Sequence, residues 1–287
     1  MNYTVFSVNI QMKCQNYFMI HLPFKIPVLE KNISILGCGW LGLPLAISLI
    51  ANGWKVKGST TRADKVNLLS DNEIEAFLVQ LSNIGLLKGS KFWDSEVLLI
   101  NVPPGLKRQT ANQYLEQMRN LAEVVAASGI KKVIFISSTS VYPELNNIVT
   151  GVDAVDESSP LLQSERIFTL NSNFKTTVIR FGGLIGPARD PSRWFAGKKD
   201  IPNGRAPVNL IHLDDCLGII KLILERDVYG ETYHAAAPQH PTKAEFYTEA
   251  AKNAGLAEPQ FVDELLEWKV IDAEKLMQQL GYTFKPL

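Results

Sequence analysis

The stretch that decides the fold is Ile33-Ser-Ile-Leu-Gly37-Cys-Gly39-Trp-Leu-Gly42-Leu-Pro44. Its apolar start predicts a buried strand, a GxGxxG spacing follows, and a run of helical period comes next. Gly37 permits a tight turn, Gly39 lets the backbone approach a pyrophosphate, and Gly42 allows close helix packing. The free N–H groups at a helix start favour a diphosphate, so the segment predicts a βαβ unit that binds NAD or NADP. The residues expected to contact this cofactor are Gly37, Gly39, Trp40, Leu41 and Gly42.

From Asn32 onward, short apolar runs alternate with longer stretches of helical period, which is the pattern of parallel strands joined by crossover helices. The expected fold class is α/β, a Rossmann-type doubly wound parallel sheet with a small C-terminal substrate lobe. Three units are predicted: residues 1–31, a poorly ordered extension or mis-assigned start; residues 32–185, the NAD(P)-binding core; and residues 186–287, the substrate lobe packed on the core. The core sheet is expected to end near Phe181.

Composition bears on partners and location. Lys plus Arg and Asp plus Glu number 29 each, so the surface is not that of a protein built to bind nucleic acid or an anionic membrane. No apolar run near the start is long enough for a signal sequence or a membrane span. The three cysteines form no CxxC pair, and neither a disulfide framework nor a metal site is expected. A cytoplasmic monomer or homodimer with a small-molecule substrate is predicted.

The end of the second strand, Gly58-Ser-Thr-Thr-Arg62, bears on the choice of cofactor. An acidic residue at this place binds the adenosine ribose of NAD, whereas a basic one binds the 2′-phosphate of NADP. Arg62 and the hydroxyls of Ser59 and Thr60 suit a phosphate. NADP is therefore expected to be preferred over NAD. The alternative is that Arg62 is a solvated residue beside Asp64.

Four segments resemble the extended branch of the short-chain dehydrogenase/reductase superfamily, which includes nucleoside-diphosphate-sugar epimerases and dehydratases. They are residues 37–42, 133–142, 178–187 and 208–215. The resemblance implies a nicotinamide dinucleotide cofactor and a nucleotide-sugar substrate. It also implies that the nicotinamide half of the cofactor contacts Asn101, Val102 and Pro103, and that Gln80 lies near the adenine.

The same resemblance gives Ser138 a catalytic role, hydrogen-bonding the substrate oxygen that gains or loses a proton. The base of the family is a tyrosine followed four residues later by a lysine, whose charge lowers the pKa of the phenol. Matching Glu165 to the helix glutamate of the family puts Glu157 and Leu161 at the tyrosine and lysine places. A deletion around residues 158–164 would explain the same gap. The chain is therefore similar to atypical members of the superfamily.

For other polar residues near these motifs, structural roles compete with functional ones. Tyr142 is expected to pack structurally, and Glu157, Glu165 and Arg166 are expected to be surface charges. Between residues 186 and 206 a basic stretch offers arginine forks for the phosphates of a nucleoside diphosphate, with an exposed cationic loop as the alternative. His212 is expected in the core and Asp214 as a helix cap. The candidate substrate contacts are Ser140, Arg189, Arg193, Arg205 and Asn209.

Two functions of different class follow from these observations. The first is an NAD(P)-binding oxidoreductase or isomerase, similar to nucleoside-diphosphate-sugar epimerases, dehydratases or reductases, which works by transient hydride transfer. The second is a non-catalytic NADP(H)-sensing or scaffold protein, since the tyrosine and lysine are missing. A fold alone cannot decide between them, because the chemistry resides in the site residues.

Overall fold

The computed structural model describes residues 31–287, so nearly all of the predicted N-terminal extension, residues 1–30, lies outside the described residues. The strands are β1 (Asn32–Leu36), β2 (Lys55–Thr60), β3 (Glu75–Leu78), β4 (Val97–Ile100), β5 (Lys132–Ser138), β6 (Asn147–Val149), β7 (Lys175–Phe181), β8 (Gly183–Ile185), β9 (Leu210–His212), β10 (Thr232–Ala235) and β11 (Lys269–Ile271). The α-helices are α1 (Gly42–Ile50), α2 (Val66–Ser70), α3 (Ala111–Ala126), α4 (Pro160–Thr169), α5 (Leu213–Arg226), α6 (Lys243–Asn253) and α7 (Glu274–Leu280).

Seven strands form one parallel sheet in the order β10-β7-β5-β4-β1-β2-β3. Its central strands are buried on both faces, as parallel strands between two helical layers must be. Apolar residues of α1, α5 and α7, among them Leu45, Ile219 and Leu276, cover one face. Residues of α3 and α4, among them Met118 and Phe168, cover the other. The doubly wound α/β architecture is therefore confirmed.

Helix ends are fixed by local side-chain chemistry. Thr110 accepts a hydrogen bond from the backbone N–H of Gln113, whose side chain in turn accepts from the Thr110 backbone, which makes a capping box at the start of α3. Thr242 and Glu245 do the same for α6. Ser159 caps α4, and Pro160 occupies the first turn, where its missing N–H costs nothing.

The sheet does not end near Phe181, contrary to the expectation from sequence. β10 pairs in parallel with β7, and Tyr233 aligns with Ile179. β10 lies in the segment predicted to be the substrate lobe, and so does α5, which covers the sheet. A further short strand, β6, lies in the polar stretch after Pro143 and pairs with β11. The boundary at residue 186 between core and lobe stays a prediction.

Within the described part of the chain, no helix combines the length and the apolar character that crossing a membrane requires.

Candidate active site

Each of the three motif glycines occupies a position where glycine is needed for a different reason. Gly37 has a φ of 104°, and a Cβ atom there would lie 2.5 Å from the carbonyl oxygen of Asn101. A Cβ atom on Gly42 would overlap the Gly37 carbonyl oxygen and lie 3.2 Å from Cγ2 of Ile35. A Cβ atom on Gly39 would meet nothing within 4 Å. Gly37 and Gly42 therefore allow the turn to form, whereas the open space at Gly39 is available to a ligand.

The glycine turn is held by its neighbours on β2 and after β4. The Gly37 N–H donates to Oγ of Ser59 at 3.0 Å, and Nδ2 of Asn101 donates to the Gly37 carbonyl at 3.0 Å. Leu41, the residue before α1, has no side chain that could bond the first-turn N–H groups. The Leu43 N–H in the first turn donates to the Gly39 carbonyl at 3.0 Å, and the positive end of the helix favours an anion.

A cavity of about 340 Å³ opens on this turn, and we call it the glycine-turn cavity. It lies at the carboxyl ends of β1, β4 and β5, where chain order reverses in the sheet and ligands of open α/β folds bind. The residues that line it are Gly39, Trp40, Leu41, Asn101, Val102, Pro103, Pro104, Ile136, Ser137, Ser138, Leu161, Leu184 and Arg189. The structure thus brings Ser138 together with six of the candidate cofactor contacts.

The chemical groups in the glycine-turn cavity are few. Oγ of Ser138 accepts a hydrogen bond from the Ser140 N–H at 3.1 Å, so the hydroxyl proton of Ser138 remains available to another acceptor. Leu161, matched from sequence to the lysine of the family, lines the same cavity. Among the described lining residues, Arg189 alone carries a charge, and none is a carboxylic acid, histidine, lysine or tyrosine.

A buried polar network lies behind the cavity, formed by Ser137, Tyr142, Glu165, Arg180 and His234. Ser137 donates to the Glu165 carboxylate, which forms an ion pair with Arg180, with Nη2 to Oε2 at 2.6 Å. Arg180 also donates to the Tyr142 hydroxyl, which lies 2.7 Å from Nε2 of His234. Burial opposes the charge of Arg180, but the hydrogen bonds and charge of Glu165 outweigh it and raise the pKa of the guanidinium.

The structure corrects the expectation for Glu165 and agrees with those for Glu157, Arg166 and Tyr142. Glu165 is not a surface charge, because it is 3 % exposed and is the counterion that buried Arg180 requires. Glu157 and Arg166, by contrast, form an exposed ion pair. Tyr142 is buried in the core between Arg180 and His234, which fits a packing role.

His234 makes the stability of the fold depend on pH. Burial lowers its pKa, so the folded chain holds the imidazole neutral, whereas the unfolded chain takes up a proton below about pH 6.5. The unfolded state then binds more protons, and the free energy of unfolding falls as the pH drops through this range toward the lower folded pKa. The amide of His234→Gln can still bond the Tyr142 hydroxyl. In this variant we expect the free energy of unfolding, measured by urea titration, to fall less steeply between about pH 7 and pH 5 than in wild type.

An unchanged slope in His234→Gln would contradict this assignment. Two carboxylates, the exposed Asp190 and the half-buried Asp153, affect stability in a separate, lower pH range. Hydrogen bonds from Ser192 and Thr150 lower the pKa of Asp190 and Asp153, so their contribution is lost only below about pH 4. The loss of stability below about pH 4 should therefore be the same in His234→Gln as in wild type.

The residues at the end of β2 differ in exposure. Ser59 is 2 % exposed and supports the glycine turn from below. Oγ1 of Thr60 accepts from the Arg62 N–H at 3.1 Å. The Arg62 guanidinium bonds Asp64, with Nε to Oδ1 at 3.0 Å, and both side chains are 62 % exposed. This hydrogen bond from Arg62 lowers the pKa of Asp64. The solvated pair raised as an alternative is therefore the geometry that Arg62 adopts in the structure.

A second cavity, of about 360 Å³, shares Ser138 with the first, and we call it the lobe cavity. Ser140 and Asn209 line it, as do the oppositely charged Glu144 and Lys269, whose carboxylate and ammonium lie 3.0 Å apart. The Asn209 amide bonds the backbone of β11, donating to the Lys269 carbonyl at 2.8 Å. Ser140 and Asn209 are thus brought together beside Ser138.

Other candidate residues lie apart from these cavities. Arg193 and Arg205 are exposed and face Asp190 and Asp263 at 3.7 and 3.8 Å. Neither arginine lines the glycine-turn cavity or the lobe cavity. Gln80 is exposed beyond the end of β3.

Two expectations at the start of α5 are wrong. His212, not Asp214, caps this helix: its Nδ1 accepts from the Asp214 N–H at 3.2 Å. Asp214 lies in the first turn and pairs with Lys285. His212 is part-exposed rather than packed in the core. The reason is geometric, since the helix begins at Leu213, one residue before the expected cap.

The sequence and the fold were compared with those of known proteins. No family model matches the chain. Protein YeeZ of Escherichia coli K12 is 34 % identical over 264 residues, which cover 89 % of this chain and 96 % of YeeZ. Two solved structures share the fold over 89 % of this chain, each with 18 % identity and a TM-score of 0.72. One is UDP-glucose 4-epimerase of Thermotoga maritima with UDP-glucose, of which 94 % is covered. The other is UDP-glucuronic acid 4-epimerase of Bacillus cereus with UDP-glucuronic acid and NAD, of which 95 % is covered. The chain therefore belongs to the family of Protein YeeZ and has the fold of the extended short-chain dehydrogenase/reductases.

Proposed function

We propose that the chain is an NAD(P)-dependent enzyme that acts on a nucleoside-diphosphate sugar, or a related polar metabolite, by transient hydride transfer. The observation that carries the proposal is that one cavity joins the glycine turn, the backbone of residues 101–104 and the hydroxyl of Ser138. The two epimerases of the same fold act on nucleotide sugars, according to their names. A nicotinamide laid along this cavity would lie near the substrate oxygen bound by Ser138.

The chain's own residues would bind, orient and exclude water. The open side of Gly39 and the positive end of α1, which has no side-chain cap, suit the diphosphate. Ser138 would hydrogen-bond the reacting oxygen of the substrate with its free proton. Val102, Ile136 and Leu161 give the cavity apolar walls that keep water from the reacting carbon. When bound, the nicotinamide would supply the hydride acceptor, and the proton of the substrate hydroxyl would pass to solvent, since none of the described lining residues is a base.

A non-catalytic sensor is the second candidate, and Leu161 favours it. In the extended family a lysine at this place lowers the pKa of the catalytic phenol. Leu161 puts an apolar side chain there, and none of the described lining residues can take up a proton at neutral pH. In that case occupancy of the cavity would alter a partner-binding surface without turnover.

A preference for NADP over NAD is part of the proposal. The pair of Arg62 with Asp64 is exposed and screened by water, so a 2′-phosphate could take the place of Asp64 on the guanidinium. Thr60 offers a second donor from the end of β2. Tighter binding of NAD than of NADP would contradict this preference.

We place the enzyme in the cytoplasm, as a monomer or homodimer. The described cysteines, Cys38 and Cys216, are unpaired and buried, and burial raises the pKa of Cys38 to about 12. Such thiols behave as small apolar side chains and suit a reducing compartment.

Turnover on a panel of nucleotide sugars tests the function. Purified chain with oxidised NADP or NAD should convert at least one sugar of the panel, and Ser138→Ala should lower kcat by about 100-fold or more. Ser70→Ala, an exposed serine on α2, is the matched control and should retain the rate. Dinucleotide binding without turnover of any sugar would exclude the enzyme and support the sensor.

A further inference from the structure

Arg189 and Trp40 form a pair at the mouth of the glycine-turn cavity. The guanidinium carbon of Arg189 lies 4.5 Å from the centroid of the Trp40 ring, within range of a cation–π contact. Trp40 stands inside the glycine turn, between Gly39 and Leu41, and both members of the pair line the cavity. The single described charge on this cavity wall is therefore stacked on the turn itself.

The loop that carries Arg189 has a fixed shape. The Arg189 N–H donates to the Gly186 carbonyl at 2.9 Å, and the Gly186 N–H donates back to the Arg189 carbonyl at 3.3 Å. Gly186 and Ala188 have φ angles of 134° and 61°. A left-handed alanine is strained, so the surrounding contacts must hold it in place. One such contact is the hydrogen bond from Nε1 of Trp40 to the Pro187 carbonyl.

The charge of Arg189 is not neutralised by a carboxylate. Arg193 and Arg205, the other arginines of this basic stretch, face Asp190 and Asp263. Among residues 31–287, Arg189 forms no ion pair with a carboxylate. Its guanidinium packs against the Trp40 ring instead. A guanidinium on an aromatic face keeps its hydrogen-bond donors free for a bidentate contact with an anion.

We propose that Arg189 binds the diphosphate of the dinucleotide, and that Trp40 is the positioning residue that holds the guanidinium over the glycine turn. This inference rests on the proposed function. The diphosphate would lie between the N–H groups that precede α1 and the Arg189 fork. Arg189 is thereby assigned to the cofactor, whereas the sequence had placed it among the substrate contacts.

Dissociation constants for NADP, ADP-ribose and adenosine test the role of Arg189. NADP and ADP-ribose carry the diphosphate, and adenosine does not. In Arg189→Ala, Kd should rise about 10- to 100-fold for the first two, as for loss of a charge-assisted hydrogen bond, and stay unchanged for adenosine. The Kd of Arg189→Lys should lie between those of wild type and Arg189→Ala, because an ammonium keeps the charge but lacks the two parallel donors of a guanidinium. Arg119→Ala, which removes an exposed arginine of α3, should bind all three like wild type.

Trp40 variants test the positioning role. Trp40→Phe keeps the aromatic face but loses the Nε1 hydrogen bond to the Pro187 carbonyl, so it should bind NADP more tightly than Trp40→Ala does. Trp40→Ala should weaken binding about as much as Arg189→Ala, and the double variant should be no worse than either, because both remove one contact.

Wild-type affinity in Arg189→Ala, or fully additive losses in the double variant, would overturn the inference. If wild type itself binds no dinucleotide, the proposed function fails as well, and that result is distinct from equal binding by wild type and variant.

Discussion

Arg180→Ala is expected to lower the free energy of unfolding by about 3–5 kcal/mol, the cost of leaving one partner of a buried ion pair without the other. Glu165 is 3 % exposed in the wild type, and among residues 31–287 Ser137 would be its one remaining side-chain partner. Tyr142 would lose a donor to its hydroxyl at the same time. Urea unfolding at neutral pH measures the loss.

Arg166→Ala is the matched control for this prediction. It breaks an arginine–glutamate pair on the same helix, α4, but Arg166 and Glu157 are both exposed. Water screens an exposed pair, so its loss should destabilise the fold far less than the loss of Arg180. If the two variants lose the same stability, the buried network does not have the role assigned to it.

Gly42→Ala is expected to cost about 3 kcal/mol and to abolish dinucleotide binding, because the added methyl group has no space. It would overlap the Gly37 carbonyl oxygen and press on the side chain of Ile35. Backbone atoms cannot yield as a flexible side chain does, so α1 would have to move off β1. Unfolding by urea and titration with NADP measure the two effects.

Gly39→Ala separates the fold from the site. Its methyl group would meet no atom within 4 Å, so the free energy of unfolding should change by less than about 1 kcal/mol. The methyl group would, however, occupy the space over the turn where the backbone approaches the diphosphate. A variant as unstable as Gly42→Ala would contradict this separation.

Local patterns were sufficient to predict most of the sheet. Continuous apolar runs at residues 33–36, 97–102 and 132–137 predict buried strands, and β1, β4 and β5 lie there. β10 gave no such signal, because its short Thr-Tyr-His-Ala run contains His234. That histidine can be buried because Tyr142 and the Asp272 carbonyl bond it, and both are distant in sequence.

The site was predictable where the sheet brings strand ends together. Asn101 after β4 and Ser138 at the end of β5 meet at the glycine turn for that reason. The burial of Glu165 was missed because it depends on Arg180, a partner on another element. The stack of Arg189 on Trp40 depends on a loop with a left-handed Ala188, for which the sequence has no local signal.

Calorimetric titration of NADP and NAD into wild type and Gly39→Ala, side by side, is the most direct test that a dinucleotide binds at the glycine turn. We expect wild type to bind one dinucleotide per chain, and the equally stable Gly39→Ala to bind it at least about tenfold more weakly, since its methyl group fills the approach to the diphosphate. Binding of neither cofactor by wild type, or equal affinity in the two proteins, would contradict it.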